Sequence, residues 1–476
     1  MPLYQQGQSQ TVELADFAPD LDPTMPSQGQ GILLDMDQAI PTLKGFQALN
    51  AAAPYVAGAL PETPTGSTIG YYSTGATQFW AGGANHLYRP FGSIWVQADS
   101  MGTTPFGAGR WRFAQFNDDM IAVGGAGITP QVATGTTGTF AALGGSPPVG
   151  ATCVVAINGQ VLMFAGANWY ASALGTDNNW TPDIQTQAGS GTLYDYPGNV
   201  VAAAPIYRNA LVFKNTATWL FQYVGGQAVW GNQLVSDFTG AWGQESVVPL
   251  PDGVAWIGTD DFYFSGGYTP QAIPNNLKEW FFDVADPTQL ANALGRYDPY
   301  HGVIWWFFVS KATPSAGVPD RYVNYSRRAQ RWGTGYLNTP SVPSPNTQPG
   351  LIAGYYFDTN NILQSYSGTP GIMRLKTGYY GDEALLGQVM RVRPRYNISP
   401  KSSSLATFNT NHVGGTNIVG PAGVLGNDGW FYYRAYNRWH QWELTTVGTE
   451  ETLTTNADVG PEVCAFSYDY RVGGIR

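Results

Sequence analysis

Apolar and polar residues alternate in short runs along most of the chain, and tight polar turns separate the runs. In the segment RWRFAQFNDDMIAV (residues 110–123), Trp111, Phe113 and Gln115 fall on one side of an extended chain. The polar residues 117–119 interrupt the alternation, which then resumes up to residue 123. Such a pattern predicts a β-hairpin with a short turn.

The same design recurs downstream. Further apolar runs flank turns at Asn158-Gly159, Arg208-Asn209, Asp252-Gly253, Asp260-Asp261, residues 298–302 and residues 358–361. Successive units are 41 to 60 residues apart, close to the roughly 40–50 residues of a four-stranded propeller blade. The spacing predicts an all-β fold with a β-propeller of six blades. Seven is the alternative, because a looser copy at 68–98 is ambiguous. The competing interpretation is a set of unrelated hairpins in two β-sandwiches.

Changes in residue composition and in the apolar–polar pattern divide the chain into three parts. Residues 1–67 are turn-rich and predict an N-terminal arm or linker, and residues 68–370 contain the repeated hairpins. Residues 371–476 predict a smaller C-terminal β-domain that packs on or beside the propeller. One helix is expected at 286–295, where Asp286 would be the N-cap and Gly295 the C-terminal stop.

Composition agrees with short strands and narrows the functional classes. Charged residues make up only 12% of the chain, whereas 59 glycines and 33 prolines supply turns. The net charge of −10 is unlike that of a DNA-binding protein that must neutralise phosphates. The start of the chain has no apolar core of a signal peptide, and no run is long enough for a membrane span. Two distant cysteines, Cys153 and Cys464, predict reduced core thiols.

No constellation of residues predicts catalysis. The four histidines, His86, His301, His412 and His440, are not at metal-ligand spacing, and no nucleophile elbow or phosphate loop is present. The acidic pairs Asp118-Asp119 and Asp260-Asp261 lie in predicted turns, which acidic side chains stabilise by accepting backbone hydrogen bonds. We therefore expect no enzyme activity, no cofactor, no metal and no small-molecule substrate.

An aromatic and basic run at 429–442 is the candidate interaction segment. Three roles are open for it: a nucleic-acid surface, a pair of core strands with arginines at the rim, or a protein docking surface. The candidate docking residues are Arg434, Tyr436, Arg438, Trp439 and Trp442.

Several segments, taken in order, resemble one family. Five segments are similar to segments of tail hub and nozzle proteins of short-tailed bacteriophages (podoviruses). They are the hairpin and Pro-Gln of residues 110–131, ASALGTDNNWTPD (171–183), residues 253–274, VNYSRRAQRWGTG (323–335) and RLKTGYY (374–380). That family includes the packaged-DNA stabilisation proteins. The resemblance spans about residues 100–380 and lies in the shared order of the segments.

The resemblance implies a structural virion protein and no reaction. It implies a homo-hexameric ring in the viral tail, below the portal and the head–tail adaptor ring. Such a ring continues the DNA channel, retains packaged DNA, lets double-stranded DNA pass at ejection without sequence-specific binding, and anchors tail fibres or a tail tip. The protein would be made in the host cytoplasm and not secreted. Residues that line the channel are unknown at this stage. The alternatives are a glycan-binding or glycan-cleaving propeller in a receptor-binding tail component, and a plain protein-interaction propeller.

Overall fold

The first strands of the chain are short. The computed structural model describes residues 8–24, 31–107, 109–125, 127–312, 317–345, 354–381, 385–410, 418–450 and 459–472. The N-terminal strands are β1 (Gln8–Glu13), β2 (Leu33–Asp37), β3 (Ala39–Pro41), β4 (Phe46–Ala48) and β5 (Ala53–Pro54).

Six antiparallel meanders of four strands then follow one another along the chain, and the first of them also carries a fifth, parallel strand from later in the chain. We call them sheets 1 to 6. Sheet 1 contains β6 (Gly66–Tyr71), β7 (Thr77–Gly82), β8 (Leu87–Phe91) and β9 (Ile94–Gln97). Sheet 2 contains β10 (Arg112–Phe116), β11 (Asp119–Val123), β12 (Gln131–Thr134) and β13 (Ala141–Ala142). Sheet 3 contains β14 (Cys153–Ile157), β15 (Gln160–Ala165), β16 (Asn168–Ala171) and β17 (Gly189–Thr192).

The next three sheets have the same order. Sheet 4 contains β18 (Ala202–Ile206), β19 (Asn209–Phe213), β20 (Thr218–Gly225) and β21 (Val229–Ser236). Sheet 5 contains β22 (Val247–Leu250), β23 (Gly253–Ile257), β24 (Phe262–Ser265) and β25 (Gln271–Ala272). Sheet 6 contains β26 (Leu294–Asp298), β27 (Val303–Phe308), β28 (Arg321–Ser326) and β29 (Arg331–Tyr336).

The six sheets are arranged as the blades of a β-propeller, as predicted. Their first strands, β6, β10, β14, β18, β22 and β26, contact one another in chain order. Residues from all six of these strands line one narrow central cavity. Each sheet packs its faces against its neighbours, so the arrangement buries apolar surface that a single four-stranded meander would leave exposed.

A smaller, three-stranded sheet lies between sheet 6 and sheet 1. It consists of β31 (Tyr355–Phe357), β32 (Leu363–Ser365) and β5. The strand before it in the chain, β30 (Ser344–Pro345), pairs in parallel with β6 and so belongs to sheet 1. Tyr355 and Phe357 pack against sheet 1, whereas Tyr356 packs against sheet 6. Whether this short sheet is a blade decides between six and seven, and the blade count stays a prediction.

The predicted hairpins are confirmed, including the one that opens the sequence pattern. β10 pairs with β11 from Arg112↔Val123 to Phe116↔Asp119, around a turn in which Asn117 has φ 54°. At the turn between β14 and β15, Asn158 and Gly159 have φ of 51° and 73°. Two consecutive residues in the left-handed region match the right-handed twist of the flanking strands, which is why Asn-Gly predicts such a hairpin.

Buried tryptophans join neighbouring sheets. Trp111 is fully buried among residues of sheets 1 and 2, and its Nε1 donates to the carbonyl of Gly83 at 2.8 Å. In the same way Trp256 donates to Gly240 O at 3.0 Å and Trp306 donates to Ser246 O at 3.0 Å. Each ring therefore buries a large apolar area while its one polar atom stays hydrogen-bonded.

The remaining strands form a two-sheet β-sandwich. They are β33 (Ile372–Thr377), β34 (Tyr380–Gly381), β35 (Gly387–Ile398), β36 (Pro400–Thr410), β37 (Ile418–Val419), β38 (Val424–Leu425), β39 (Phe431–Asn437), β40 (Trp439–Thr449) and β41 (Glu462–Val472). One sheet has the order β3-β4-β41-β35-β39-β38, with β1 also on β41. The other has the order β2-β33-β40-β36-β37, with β34 also on β40.

The N-terminal residues belong to this sandwich, which corrects the expectation of an arm or linker at 1–67. β1 and β4 pair with β41, and β2 pairs with β33, so the start of the chain completes both sheets. The sandwich packs against the outer strands of sheet 6: Asn324 donates to Ala39 O at 3.1 Å, and the backbone N–H of Trp332 donates to Asp16. These strands are too short to show an alternating pattern, and their partners are several hundred residues away.

The predicted helix at 286–295 is wrong. That segment contains only a 3₁₀ turn at Leu290–Asn292, and β26 already begins at Leu294. Asp286 accepts from the backbone of Thr288 and therefore caps a local turn. The α-helix α1 (Lys278–Val284) lies just before it, and a second 3₁₀ turn spans Gln244–Ser246. No helix in the described ranges is long and apolar enough to cross a membrane.

Candidate functional site

The five candidate docking residues do not share one surface. Tyr436 is 52% exposed on β39, and Arg434 is exposed beside it on the same side of the strand. Arg438 is half-buried in the turn between β39 and β40. Trp439 and Trp442 are buried in the sandwich, at 3% and 0% exposure, so their prediction as docking residues is wrong.

The burial of the two tryptophans follows from the sandwich packing. The Trp442 ring stacks on Tyr380 with ring centres 4.5 Å apart, and its Nε1 donates to the hydroxyl of Tyr433. Strand alternation places consecutive side chains on opposite faces, and the apolar side of β40 faces the other sheet. The alternative in which the aromatic residues are core describes Trp439 and Trp442, whereas Tyr436 is exposed on the outer side of β39.

An apolar edge of the sandwich lies next to Tyr432, near the start of β39, and the sequence did not predict it. It consists of β37 and β38, the outermost strands of the two sheets, whose four residues are 49–75% exposed. Tyr432, which is 43% exposed, pairs with Val424. We call Ile418, Val419, Val424, Leu425 and Tyr432 the sandwich edge. Exposed apolar clusters of this kind mark interaction surfaces more often than single exposed residues do.

A second set of exposed apolar residues lies on one face of the propeller. In a four-stranded meander the first and third turns are at the same end of the sheet. All six sheets therefore place these turns on the same face of the propeller, which we call the turn face. Apolar residues at these turns include Phe91 (67% exposed), Leu174 (51%), Tyr207 (71%), Tyr268 (81%) and Tyr300 (77%).

Contacts between turns tie the sheets together on the turn face. The Tyr207 hydroxyl donates to Asp252 O at 3.3 Å, which joins sheets 4 and 5. The Arg327 guanidinium pairs with the Asp252 carboxylate and joins sheets 5 and 6, and this hydrogen bond lowers the pKa of Asp252. The turn face is therefore a cross-linked surface rather than a set of independent loops.

The acidic pairs in the turns have structural partners. Asp118 accepts hydrogen bonds from the backbone and hydroxyl of Ser73, which lowers its pKa, and Asp119 accepts from Thr134. Asp260 accepts from the hydroxyl of Tyr263. Asp261 accepts from the backbone of Phe262 and the amide of Asn275. All four carboxylates thus have hydrogen-bond partners. Asp118 and Asp119 join neighbouring turns and strands, whereas Asp260 and Asp261 accept from groups near their own turn.

The propeller axis is too narrow to be a conduit. The cavity on the axis has a volume of about 90 Å³. Arg110, just before β10, and Glu245, just before β22, form an ion pair there. Because β10 and β22 belong to sheets on opposite sides of the axis, this ion pair spans the axis, and Glu245 also lines the cavity. Any conduit for a polymer would have to lie between copies of the chain.

A cleft lies where sheet 6, the three-stranded sheet and the sandwich meet. Two neighbouring cavities of about 450 and 320 Å³ share Ile40, Gln47, Tyr300 and His301 in their walls. We call the two together the junction cleft. Their volumes lie within the range typical of small-molecule sites, about 300–1,000 Å³.

Charged groups lie on one side of the larger cavity. Asp298 is 4% exposed and accepts a 2.7 Å hydrogen bond from His301 Nδ1. Burial alone would raise the pKa of Asp298, but the contacts with His301 and the charge of Arg296 lower it overall. Arg296 is 5% exposed and donates to Tyr355 O at 3.1 Å. Burial lowers the pKa of Arg296, and the charge of Asp298 opposes this effect.

The other histidines are in structural surroundings. His86 lies 3.3 Å from the carboxylate of Asp99. His440 is fully buried, and burial lowers its pKa to about 4. His412 lies outside the described residues. Within the described ranges, no group of three or more His, Cys, Asp or Glu side chains is placed to hold a metal ion.

Comparisons with known proteins give likenesses in fold alone. No family model and no curated protein matches the sequence. Among solved structures, the chain is similar to the computationally designed Ika8 protein, at 9% identity and a TM-score of 0.38 over 66% of this chain and 99% of that chain. A chain of the mitotic checkpoint complex gives 9% identity and a TM-score of 0.40 over 67% and 93%.

A third similar structure is a quinonprotein alcohol dehydrogenase-like protein from Bacteroides thetaiotaomicron. It gives 10% identity and a TM-score of 0.36 over 57% of this chain and 66% of that chain. At these identities the assignment of the fold rests on the strand order and register of the chain itself.

Proposed function

We propose that the chain is a structural subunit of the tail of a short-tailed bacteriophage, a nozzle or hub protein without catalytic activity. In this role six copies form a ring that continues the DNA channel below the head–tail adaptor. The ring retains packaged DNA until ejection and holds tail fibres or a tip. It acts in the virion after assembly in the host cytoplasm.

The segments that carry the family resemblance support this proposal by their positions. Residues 110–131 cover β10, β11 and the start of β12, whereas 253–274 cover β23 to β25 and 323–335 cover most of β28 and β29. Residues 374–380 belong to the chain that leaves the propeller for the sandwich. The resemblance therefore follows whole structural units in the order of the sheets.

The observation that carries the proposal is the presence of two separate exposed apolar surfaces. The turn face displays Tyr207 and Tyr268 at 71% and 81% exposure, and the sandwich edge displays Val419 at 75%. A closed ring uses two complementary patches on every copy, one toward each neighbour, and two separate exposed apolar surfaces could supply such a pair. Aromatic residues are favoured anchors of such contacts.

Charge supports a passive role toward DNA. The chain carries 33 acidic and 23 basic residues. A surface with excess negative charge repels phosphates, so DNA inside a ring of such subunits would slide without being held.

Electron microscopy of the purified protein over a concentration series tests the proposal. We expect class averages with sixfold symmetry and an axial opening between subunits. A chain that remains monomeric or trimeric at all concentrations, and also in the assembled particle, would overturn it.

A further inference from the structure

The junction cleft exists because the three-stranded sheet is too short to cover its neighbour. Its strands β31 and β32 have three residues each, whereas β27 of sheet 6 has six. The face of sheet 6 that carries Arg296 and Asp298 is therefore only partly covered by Tyr355 and Tyr356. Residues 47–50 of the N-terminal segment form another wall of the space.

The shared wall of the cleft carries polar groups that nothing in the described ranges engages. His301 uses Nδ1 to donate to the carboxylate of Asp298, which leaves Nε2 for a ligand. Nε2 accepts a hydrogen bond when the ring is neutral and donates one when the ring is protonated. The Gln47 side-chain amide and the Tyr300 hydroxyl have no hydrogen-bond partner among the described residues. The Tyr300 ring packs edge-on to His301 with ring centres 4.7 Å apart, which fixes both rings relative to each other.

The larger cavity of the junction cleft is lined by one basic and one acidic side chain. Arg296 and Asp298 line it with opposite charges, and their interaction stabilises the charged form of each. Trp305 and Phe307 form its apolar wall, with ring planes 8° apart. A ligand suited to this cavity has many groups that both donate and accept hydrogen bonds, apolar C–H surface for the aromatic rings, and no strong net charge.

We propose that the junction cleft binds a saccharide, one or two sugar units of a glycan. Sugar hydroxyls pair with an imidazole nitrogen, an amide and a phenol at once, since each hydroxyl both donates and accepts. The exposed Tyr300 ring offers an aromatic face to sugar C–H groups, whereas Trp305 and Phe307 contribute only the small part of their surface that lines the cavity. Tyr300 belongs to the turn face as well as to the cleft. The cleft would hold a small ligand rather than another subunit, so the inference goes beyond the proposed function.

A binding experiment with the full-length chain tests the site. It uses a panel of soluble neutral and acidic mono- and disaccharides, saturation-transfer NMR to detect binding, and titration to give Kd. The test variants are Tyr300→Ala and Gln47→Ala, both at side chains that reach the cleft. The matched controls are Tyr268→Ala, an equally exposed turn tyrosine on the neighbouring sheet, and Gln222→Ala, an exposed glutamine on β20.

We expect at least one sugar of the panel to bind the wild type and each control with the same Kd. Tyr300→Ala and Gln47→Ala should weaken binding at least tenfold while leaving Tm unchanged. Absence of binding to every sugar overturns the proposal, as does binding that the two cleft variants leave intact. Tighter binding of inorganic phosphate than of any sugar at the same residues would also overturn it, because the cleft would then be an anion site. None of these outcomes depends on ring formation, so failure of this inference is distinct from failure of the proposed function.

Discussion

Among single residues, Asp16 has the clearest consequence for pH dependence. Its carboxylate accepts hydrogen bonds from the backbone N–H groups of Phe17 and Trp332, at 2.9 and 2.6 Å, and so attaches the N-terminal segment to β29. Burial raises the pKa of Asp16 to about 7, although both hydrogen bonds and the charge of Arg331 oppose the rise. The folded state therefore binds a proton at a pH where the unfolded chain has lost it.

The sign of the pH effect follows from that difference. Between the unfolded pKa of 3.8 and about 7, the folded state binds more protons, so the free energy of unfolding falls as pH rises through this window. We expect Asp16→Asn to flatten this slope, because an amide oxygen accepts the same two hydrogen bonds without carrying a charge. At pH 8 the variant should be more stable by about 1–2 kcal/mol, since one pKa unit corresponds to about 1.4 kcal/mol and the side chain is partly solvated.

Thermal unfolding of both proteins from pH 4 to pH 8 measures this effect. Asp237→Asn, at an exposed aspartate after β21, is the matched control and should leave the profile unchanged. Equal slopes for the wild type and Asp16→Asn would contradict the prediction.

At the scale of elements, the hairpin between β14 and β15 depends on its left-handed turn. Gly159 has φ 73°, and a side chain added there would only touch Leu174 at 3.4 Å, so space is not limiting. The cost of Gly159→Ala is therefore the backbone strain of a left-handed residue, about 1–2 kcal/mol. Urea unfolding should show a lower midpoint with an unchanged slope.

The matched control for the turn is Gly109→Ala. Gly109 has no positive φ and no heavy atom within 4 Å of an added Cβ, so its substitution should be nearly neutral. Equal midpoints for the two variants would show that the turn conformation is not what Gly159 provides.

These elements also show which parts of the structure can be predicted from the sequence. Turn chemistry predicted the hairpins because Asn-Gly and acidic pairs act over two to four residues. α1 was missed because its first turn is capped from 259 residues away, where Asp20 accepts from Glu279 N and Trp280 N. The residues of the junction cleft belong to three segments around positions 47, 300 and 366, and no local pattern joins them. Trp442 was assigned to a surface because a run of aromatic residues looks alike in a core and on a docking face.

For the whole molecule, the sandwich edge is the surface whose role in assembly is most directly testable. Val419 and Val424 are 75% and 71% exposed, so replacing them with aspartate removes apolar contact area without disturbing the core. We expect Val419→Asp/Val424→Asp to reduce the fraction of protein in rings at a given concentration, measured by native mass spectrometry, while Tm changes by less than about 2 °C.

Ile372→Asp is the matched control for the sandwich edge. Ile372 is 58% exposed and pairs with Val447 on β40. Val447 also pairs with Ser402 on β36, which is six residues from Phe408, the partner of Val419. It therefore lies toward the other end of the same sheet. If this control disrupts rings as much as the double variant does, the effect is one of added charge and not of the sandwich edge.

The charge of the whole molecule predicts its behaviour toward DNA. The chain has a net charge of −10. In the part of the chain that the structure describes, the axial cavity is about 90 Å³ and the Arg110–Glu245 ion pair spans the axis, so the axis is no pore for DNA. We expect no gel shift of double-stranded DNA by the purified protein at about 0.15 M salt, for any sequence tested. A shift that weakens steeply with added salt would mean that cationic groups neutralise phosphates, which a conduit that lets DNA slide must avoid. Lowering the salt to about 0.05 M strengthens such contacts by orders of magnitude, so DNA that stays unbound there as well would exclude even a weak phosphate-binding surface.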